Sequence, residues 1–188
     1  MTKNIKTIMQ LVKKEADHED WQYHILPVLQ YAKKLAKIYK ANQEIVELAA
    51  ILHDIGRIRF GDEDHELTGA RAAEKILQAQ RYSEKVIAAV KECIRSHRGS
   101  KDIPLKSIEA KIIANADAMS HFDTVPVLFY WITKRERFEE SLQWVDEKIE
   151  RDWQKKITLP AAKIMMRKKY EAVRIVLNAN KQYLDKKR

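Results

Sequence analysis

The chain of 188 residues has a single cysteine, Cys93, so it can form neither an internal disulfide nor a cysteine-ligated zinc cluster, and it fits a reducing compartment. Glycine and proline are also scarce, four of each, which leaves little turn punctuation and favours long helices. Alternation of apolar and polar residues nowhere persists long enough to make a strand. Long apolar runs are missing too. The longest, VPVLFYWI at 125–132, falls far short of the ~20 residues that span a bilayer. The opening MTKNIKTIMQLVKKEADHED mixes Lys, Gln and Glu where a signal peptide would carry its apolar stretch. These absences point to a cytoplasmic protein that does not enter a membrane.

Acidic residues are in the minority, 27 against 36 Lys and Arg, for a net charge of +9. Anionic partners follow as a class. Much of the charge, however, lies in late runs such as MMRKKYEAVR and KQYLDKKR, where lysines on solvated helix faces suffice as the explanation. No segment interleaves aromatic and basic residues as a nucleic-acid module would, so nucleic acid stays open but is not favoured. Nucleotides, nucleic acid and a membrane surface are the anionic partners this charge allows, with a small phosphorylated, nucleotide-like substrate among them, and a homodimer is an open alternative for assembly. A single domain over 1–188 is expected, and a chain of this length can bury roughly 70% of its unfolded surface. It divides into a core of about 17–123 and a C-terminal helical extension of about 124–188.

Periodicity predicts an all-α protein. Helices are expected over about 4–16, from Asp20 to Lys40 with Pro27 kinking it or marking its first turn, and from Gln43 to Ile55. Gly56 is expected to stop that third helix in a left-handed conformation, followed by the loop GRIRFGDED. A helix from His65 to Gln80 takes Asp62 or Asp64 as its cap. Ser83 opens the next, which ends near His97, and Ser107 caps one running to about Ser120. An aromatic-rich segment follows over about 124–154, then a last helix from Pro160 to Tyr183.

On these helices several polar residues occupy faces that otherwise read as core. His24 shares a face with Val28, Tyr31 and Leu35. His53 and Asp54 flank the stripe of Leu48, Ile51, Leu52 and Ile55, and Asp117 replaces a hydrophobe beside Ala110, Ile113 and Ala114. His97 lines up with Val90 and Ile94, while His65 opens its helix. Any one of these alone is an ordinary buried histidine or carboxylate. Four histidines and two aspartates aimed at one core would together cost several kcal/mol of uncompensated desolvation. A divalent cation shared among them offsets that cost.

The order His24, His53-Asp54, Asp117 resembles the HD superfamily of metal-dependent phosphohydrolases. The likeness is carried by DWQYHILPV, AAILHDIGR, DEDHELTGARAAEKIL, IRSHR and SIEAKIIANADAM, in that order across about residues 17–123. The resemblance implies an HD-domain-like helical bundle with additional C-terminal helices, and a metal held by His24, His53, Asp54 and Asp117. It implies catalytic roles for Asp54, His65 and His97, and phosphate contacts from Arg57 and Arg98. In some family members the extra histidines recruit a second metal; in others they face the substrate phosphate, and the mononuclear arrangement, with His65 and His97 facing phosphate, is the one expected here. Mn, Fe, Co, Ni, Zn or Mg all suit such ligands. Two departures stand out: Pro27 where many relatives have arginine, and Asn115 where many have a first aspartate. His18 and His121 are left outside the site, the latter as a residue near a helix end. The expected activity is hydrolysis of a nucleotide or other small phosphoester. A non-catalytic nucleotide-binding module and a di-iron oxygenase are the alternatives.

Overall fold

A computed structural model describes residues 2–98 and 103–184, with side chains to 181. Among the described residues there are helices and no strands: α1 (Lys3–Glu15), α2 (His18–Asp20), α3 (Leu26–Ile38), α4 (Gln43–Leu52), α5 (Ile55–Phe60), α6 (His65–Ala79), α7 (Glu84–Ser96), α8 (Ile108–Asp123), α9 (Val125–Ile132), α10 (Phe138–Arg151) and α11 (Pro160–Leu184). None of them is long and apolar enough to cross a membrane.

Local chemistry starts several of them as the sequence requires. The side chains of Asn42, Ser83 and Ser107 each accept from backbone N–H groups of the first turn of α4, α7 and α8. Asp64 precedes α6 in a left-handed conformation, and the side-chain cap expected from Asp62 or Asp64 is not made.

Two π-helical turns interrupt the regular pitch, Trp21–Ile25 between α2 and α3, and Asp152–Lys156 after α10. Pro27 explains the position of the first. A proline inside an α-helix crowds the carbonyl four residues back. The wider turn, in which Leu26 N–H reaches Trp21 O, relieves that crowding without a break in the helix. Both π-turns carry residues of the site described below.

The core centres on α8, in which Ala110 and every residue from Ile112 to Phe122 are buried. A helix buried all round must be surrounded, and α3, α4, α7 and α11 pack on it. The sequence reading of α4 needs two corrections. The helix ends at Leu52, so His53 and Asp54 form the turn between α4 and α5. Gly56 is not a left-handed stop but lies inside α5, and the stretch expected to be a loop is helical to Phe60. Gly61, at φ 88°, is the residue that turns the chain. Gly56 is needed for another reason: a Cβ there would lie 2.1 Å from His65 O and 2.5 Å from Gly69 N. Backbone-to-backbone approach of α5 on α6 is thus what carries His65 to Asp54. The aromatic segment expected as one long unit is two helices, α9 and α10, separated at residues 133–137.

Candidate metal centre

Six side chains foreseen from the sequence converge here, all of them buried: His24 from the first π-turn, His53 and Asp54 from the α4–α5 turn, His65 from the start of α6, His97 from the end of α7, and Asp117 from α8. All but His53, which lies fully buried behind them, line a cavity of about 420 Å³.

The tautomer of each imidazole follows from its partners. The Nδ1–H groups of His53, His65 and His97 donate to the carbonyl oxygens of Ala50, Asp62 and Ile94, at 2.9, 3.0 and 2.6 Å. A carbonyl can only accept, so each Nε2 carries a lone pair. His24 Nδ1 meets Ser120 Oγ at 3.1 Å, and that hydroxyl already donates to Asp117 O at 2.7 Å. His24 must therefore donate from Nδ1 as well. Four bare Nε2 atoms face one small volume, and those of His24 and His53 face each other at 3.1 Å. Two lone pairs at that distance repel unless a cation sits with them.

The carboxylates complete the arrangement. Asp54 Oδ2 lies 3.2 Å from His24 Nε2 and 3.7 Å from His53 Nε2, whereas its Oδ1 lies 3.8 Å from His65 Nε2 and 3.5 Å from His97 Nε2. Asp117 Oδ1 is 3.5 Å from His24 Nε2. The donors fall into two triads able to hold a cation each, His24–His53–Asp117 and Asp54–His65–His97, with Asp54 facing both. Nitrogen and carboxylate donors without thiolate suit a divalent transition metal or Mg²⁺. The protonation states agree with this use: burial pushes the pKa of His53 from 6.5 down to about 4, keeping it neutral. Burial pushes Asp54 upward, but Arg57 and the neighbouring histidines outweigh it and hold this carboxyl well below its ordinary value. Asp117 is held down likewise, burial being outweighed by Lys156 and His121. Cys93 is buried, which raises its pKa and leaves it a protonated core residue.

The sequence model of the HD domain family matches residues 21–121, more than half of the chain. The chain belongs to the HD family. Similar proteins include ribonuclease Y of Symbiobacterium thermophilum, 32% identical over 132 residues, which covers 66% of this chain but only 24% of that protein. An HD-superfamily hydrolase from Bacillus thuringiensis has the same fold, with a TM-score of 0.71, 21% identity, and 97% of this chain and 95% of the other covered. A protein of Listeria innocua matches at a TM-score of 0.70 and 18% identity over 98% of both chains.

Around this HD centre the structure adds what the sequence did not disclose. Arg57 donates from Nε to Asp54 Oδ2 and from Nη2 to Asp20 Oδ1, both at 3.0 Å, so it braces the Asp54 carboxylate at the cavity wall. Arg98 lines the cavity while donating to Glu66 Oε2 at 3.1 Å. His121, set aside from the sequence, is buried: its Nδ1–H donates to Asp152 Oδ2 at 2.8 Å and its Nε2 lies 3.7 Å from Asp117 Oδ1. Its ring stacks on His24. The available signal was its place one turn after Asp117, on the same helix face. Asn115 is no ligand; its side chain accepts from Thr158 N and Leu159 N and anchors the chain entering α11. Lys156, from the second π-turn, is 8% exposed and bonds Asp117 Oδ2. Nothing in DWQKK distinguishes Lys156 from its solvated neighbour Lys155.

Proposed function

We propose that this HD protein is a phosphohydrolase that uses two divalent metal ions and acts on a nucleotide or other small phosphoester. The observation that supports it is the double facing of Asp54, whose two oxygens each point at a pair of imidazole Nε2 atoms free of hydrogen-bond donors. The second pair, His65 and His97, has the same tautomer and the same orientation as the first. This equivalence favours two ions over the mononuclear reading drawn from resemblance.

When bound, such ions supply Lewis acidity toward a phosphoryl oxygen and acidify a water. The chain supplies the rest. Asp54 spaces the two triads, and Arg57 with Asp20 fixes the rotamer of Asp54. Ala50, Asp62 and Ile94 hold three imidazoles so that only Nε2 faces the site. Arg98 and Lys156 stand at the wall as cations for charge that develops on phosphate oxygens.

The test is elemental analysis combined with a phosphoester panel, on protein purified without chelator. Two equivalents per chain are expected. His65→Ala and His97→Ala should each fall to one equivalent and lose turnover, and Asp54→Ala should fall below one. A parent with one equivalent, unchanged in the histidine variants, would return the site to the mononuclear reading. Metal-loaded protein inert on every phosphoester would remove the hydrolase reading.

A further inference from the structure

The face of α10 and its π-turn that lines the cavity bears, in order, Trp144, Lys148, Arg151, Asp152 and Lys156. Spacings of four and three residues hold Trp144, Lys148 and Arg151 on one side of α10, and the π-turn brings Asp152 and Lys156 to the same cavity. The metal end of the series is fixed by contacts, since Lys156 bonds Asp117 and Asp152 bonds His121. Trp144 lies eight residues before Asp152, about 12 Å farther along the axis. Between them stand two cations. Lys148 sits 3.4 Å from Asp152 and 5.9 Å from the Trp144 ring. Arg151 has no hydrogen-bond or ion-pair partner among the described residues. Lys156 spends one of its three donors on Asp117, leaving two beside the cavity. The indole of Trp144 is 37% exposed at the outer end.

Resting on the hydrolase reading above, we infer that this face is a second subsite, which binds the substrate as a nucleoside di- or triphosphate: terminal phosphoryl at the metal centre, remaining phosphates along Lys156, Arg151 and Lys148, base on Trp144. The order of groups argues for it. A run of cations before the aromatic suits contiguous phosphates followed by a base. A single-stranded nucleic acid alternates base and phosphate, and a monophosphate at the metal centre would leave Lys148 and Arg151 without a phosphate to pair with. Base stacking on an exposed aromatic is sequence-tolerant, so the subsite recognises a nucleobase as a class.

The test is calorimetric titration of the full metal-loaded chain with three probes: a non-hydrolysable ATP analogue, AMP and inorganic tripolyphosphate. The analogue should bind at least about tenfold tighter than either fragment, the scale of one stacked base or one charge-assisted contact. Trp144→Ala should weaken the analogue about tenfold and leave tripolyphosphate unchanged. Arg151→Gln should weaken the analogue and tripolyphosphate alike and spare AMP. Equal binding of AMP and the analogue by the parent overturns the inference, as does a short oligoribonucleotide that binds tighter than the analogue, or variants that weaken all three probes together. Hydrolysis of p-nitrophenyl phosphate separates the two readings. Turnover without the affinity ranking defeats the subsite alone, whereas the ranking without any turnover defeats the hydrolase and leaves the subsite standing.

Discussion

The helices up to α8 and the segment after them meet at one cavity but bring different things to it. From the first come most of the donors able to hold a metal, five imidazoles, counting His121, each tethered at Nδ1 so that Nε2 is bare, and two ionised carboxylates, with Arg57 and Arg98 beside them. From the second come cations and aromatics: Lys148, Arg151, Lys156, Trp131 and Trp144. Each metal-facing carboxylate also has its own fixed positive partner, and the two partners come from different regions. Arg57 serves Asp54 from three residues away, while Lys156 serves Asp117 from across the cavity. The contrast shows a division of labour. Backbone packing in the first region sets where a metal can sit, and the second region sets how the surrounding charge is balanced and what fits above it.

The largest expected effect tests the packing side. Gly56→Ala would drive a methyl group into the backbone of α6 at Gly69 N and His65 O, atoms that cannot rotate away. Overpacking of this kind costs about 3 kcal/mol or more when backbone must move. Urea unfolding should show that loss, or little folded protein at all. Trp144→Ala, on the half-exposed face of the extension, should cost about 1 kcal/mol or less. If both variants unfolded at the parent midpoint, α5 would not be held by α6 and the placement of His65 would need another cause.

Next in size is the exchange between Lys156 and metal as partners of Asp117. Breaking a buried ion pair by removing one member costs about 3–5 kcal/mol. In chelator-treated protein, Lys156→Met should therefore lower the melting temperature markedly, because Asp117 is left charged and buried. With metal restored, the same substitution should cost clearly less, since a bound cation compensates the carboxylate. Metal itself should raise the melting temperature of the parent by mass action. An equal penalty in both states would show that Lys156 and metal do not share Asp117.

A pH titration of the metal-free protein should give a smaller effect spread over both regions. Burial holds His53 and His121 neutral, each with its pKa moved from 6.5 to about 4, the second against the opposing pull of Asp152. The unfolded chain takes up protons on them near 6.5, so between 6.5 and 4 it binds up to two more protons than the folded chain. Stability then falls as pH falls through that window, and is flat with respect to these groups above it. Below 3.8 the depressed carboxyls Asp54, Asp117 and Asp152 act in the same direction. Urea midpoints from pH 8 to 4.5 measure the histidine part, and a flat curve would mean that water reaches these rings.

The same contrast explains what could be read from the sequence. The series His24, His53-Asp54, His65, His97, Asp117 was legible because His24, His97 and Asp117 share faces with core hydrophobes, His53-Asp54 flank such a face, His65 opens a helix, and their order resembles the HD series. The two-sided use of Asp54 was not legible, since spacing along the chain says nothing about which carboxylate oxygen faces which ring. Gly56 read as a helix stop because its tertiary neighbour, the backbone of α6, is invisible to local propensity. His121, Asp152 and Lys156 escaped for a similar reason. Their partners lie 31 and 39 residues apart in sequence, and the π-turn that aims Lys156 inward breaks the 3.6-residue period by which a face is read.

The smallest effect is expected where the net charge is most conspicuous. Lys168 and Lys169 lie exposed on α11, Lys169 paired with Asp123 and Tyr31, and neither lines the cavity. An exposed pair of this kind contributes about 0–1 kcal/mol. Changing both lysines to glutamine should leave the hydrolysis of a small phosphoester unaltered at low and moderate salt, and lower the melting temperature by a degree or two at most. Arg151→Gln removes only one charge, yet the Arg151 side chain stands at the cavity with no partner among the described residues, and its loss should weaken a triphosphate about tenfold. The comparison isolates position from charge, because the double variant loses twice the charge with a smaller expected effect. If turnover of a mononucleotide-sized substrate instead fell with the lysine pair and ignored Arg151, the anion would bind along α11, and the cavity would not be where the phosphates lie.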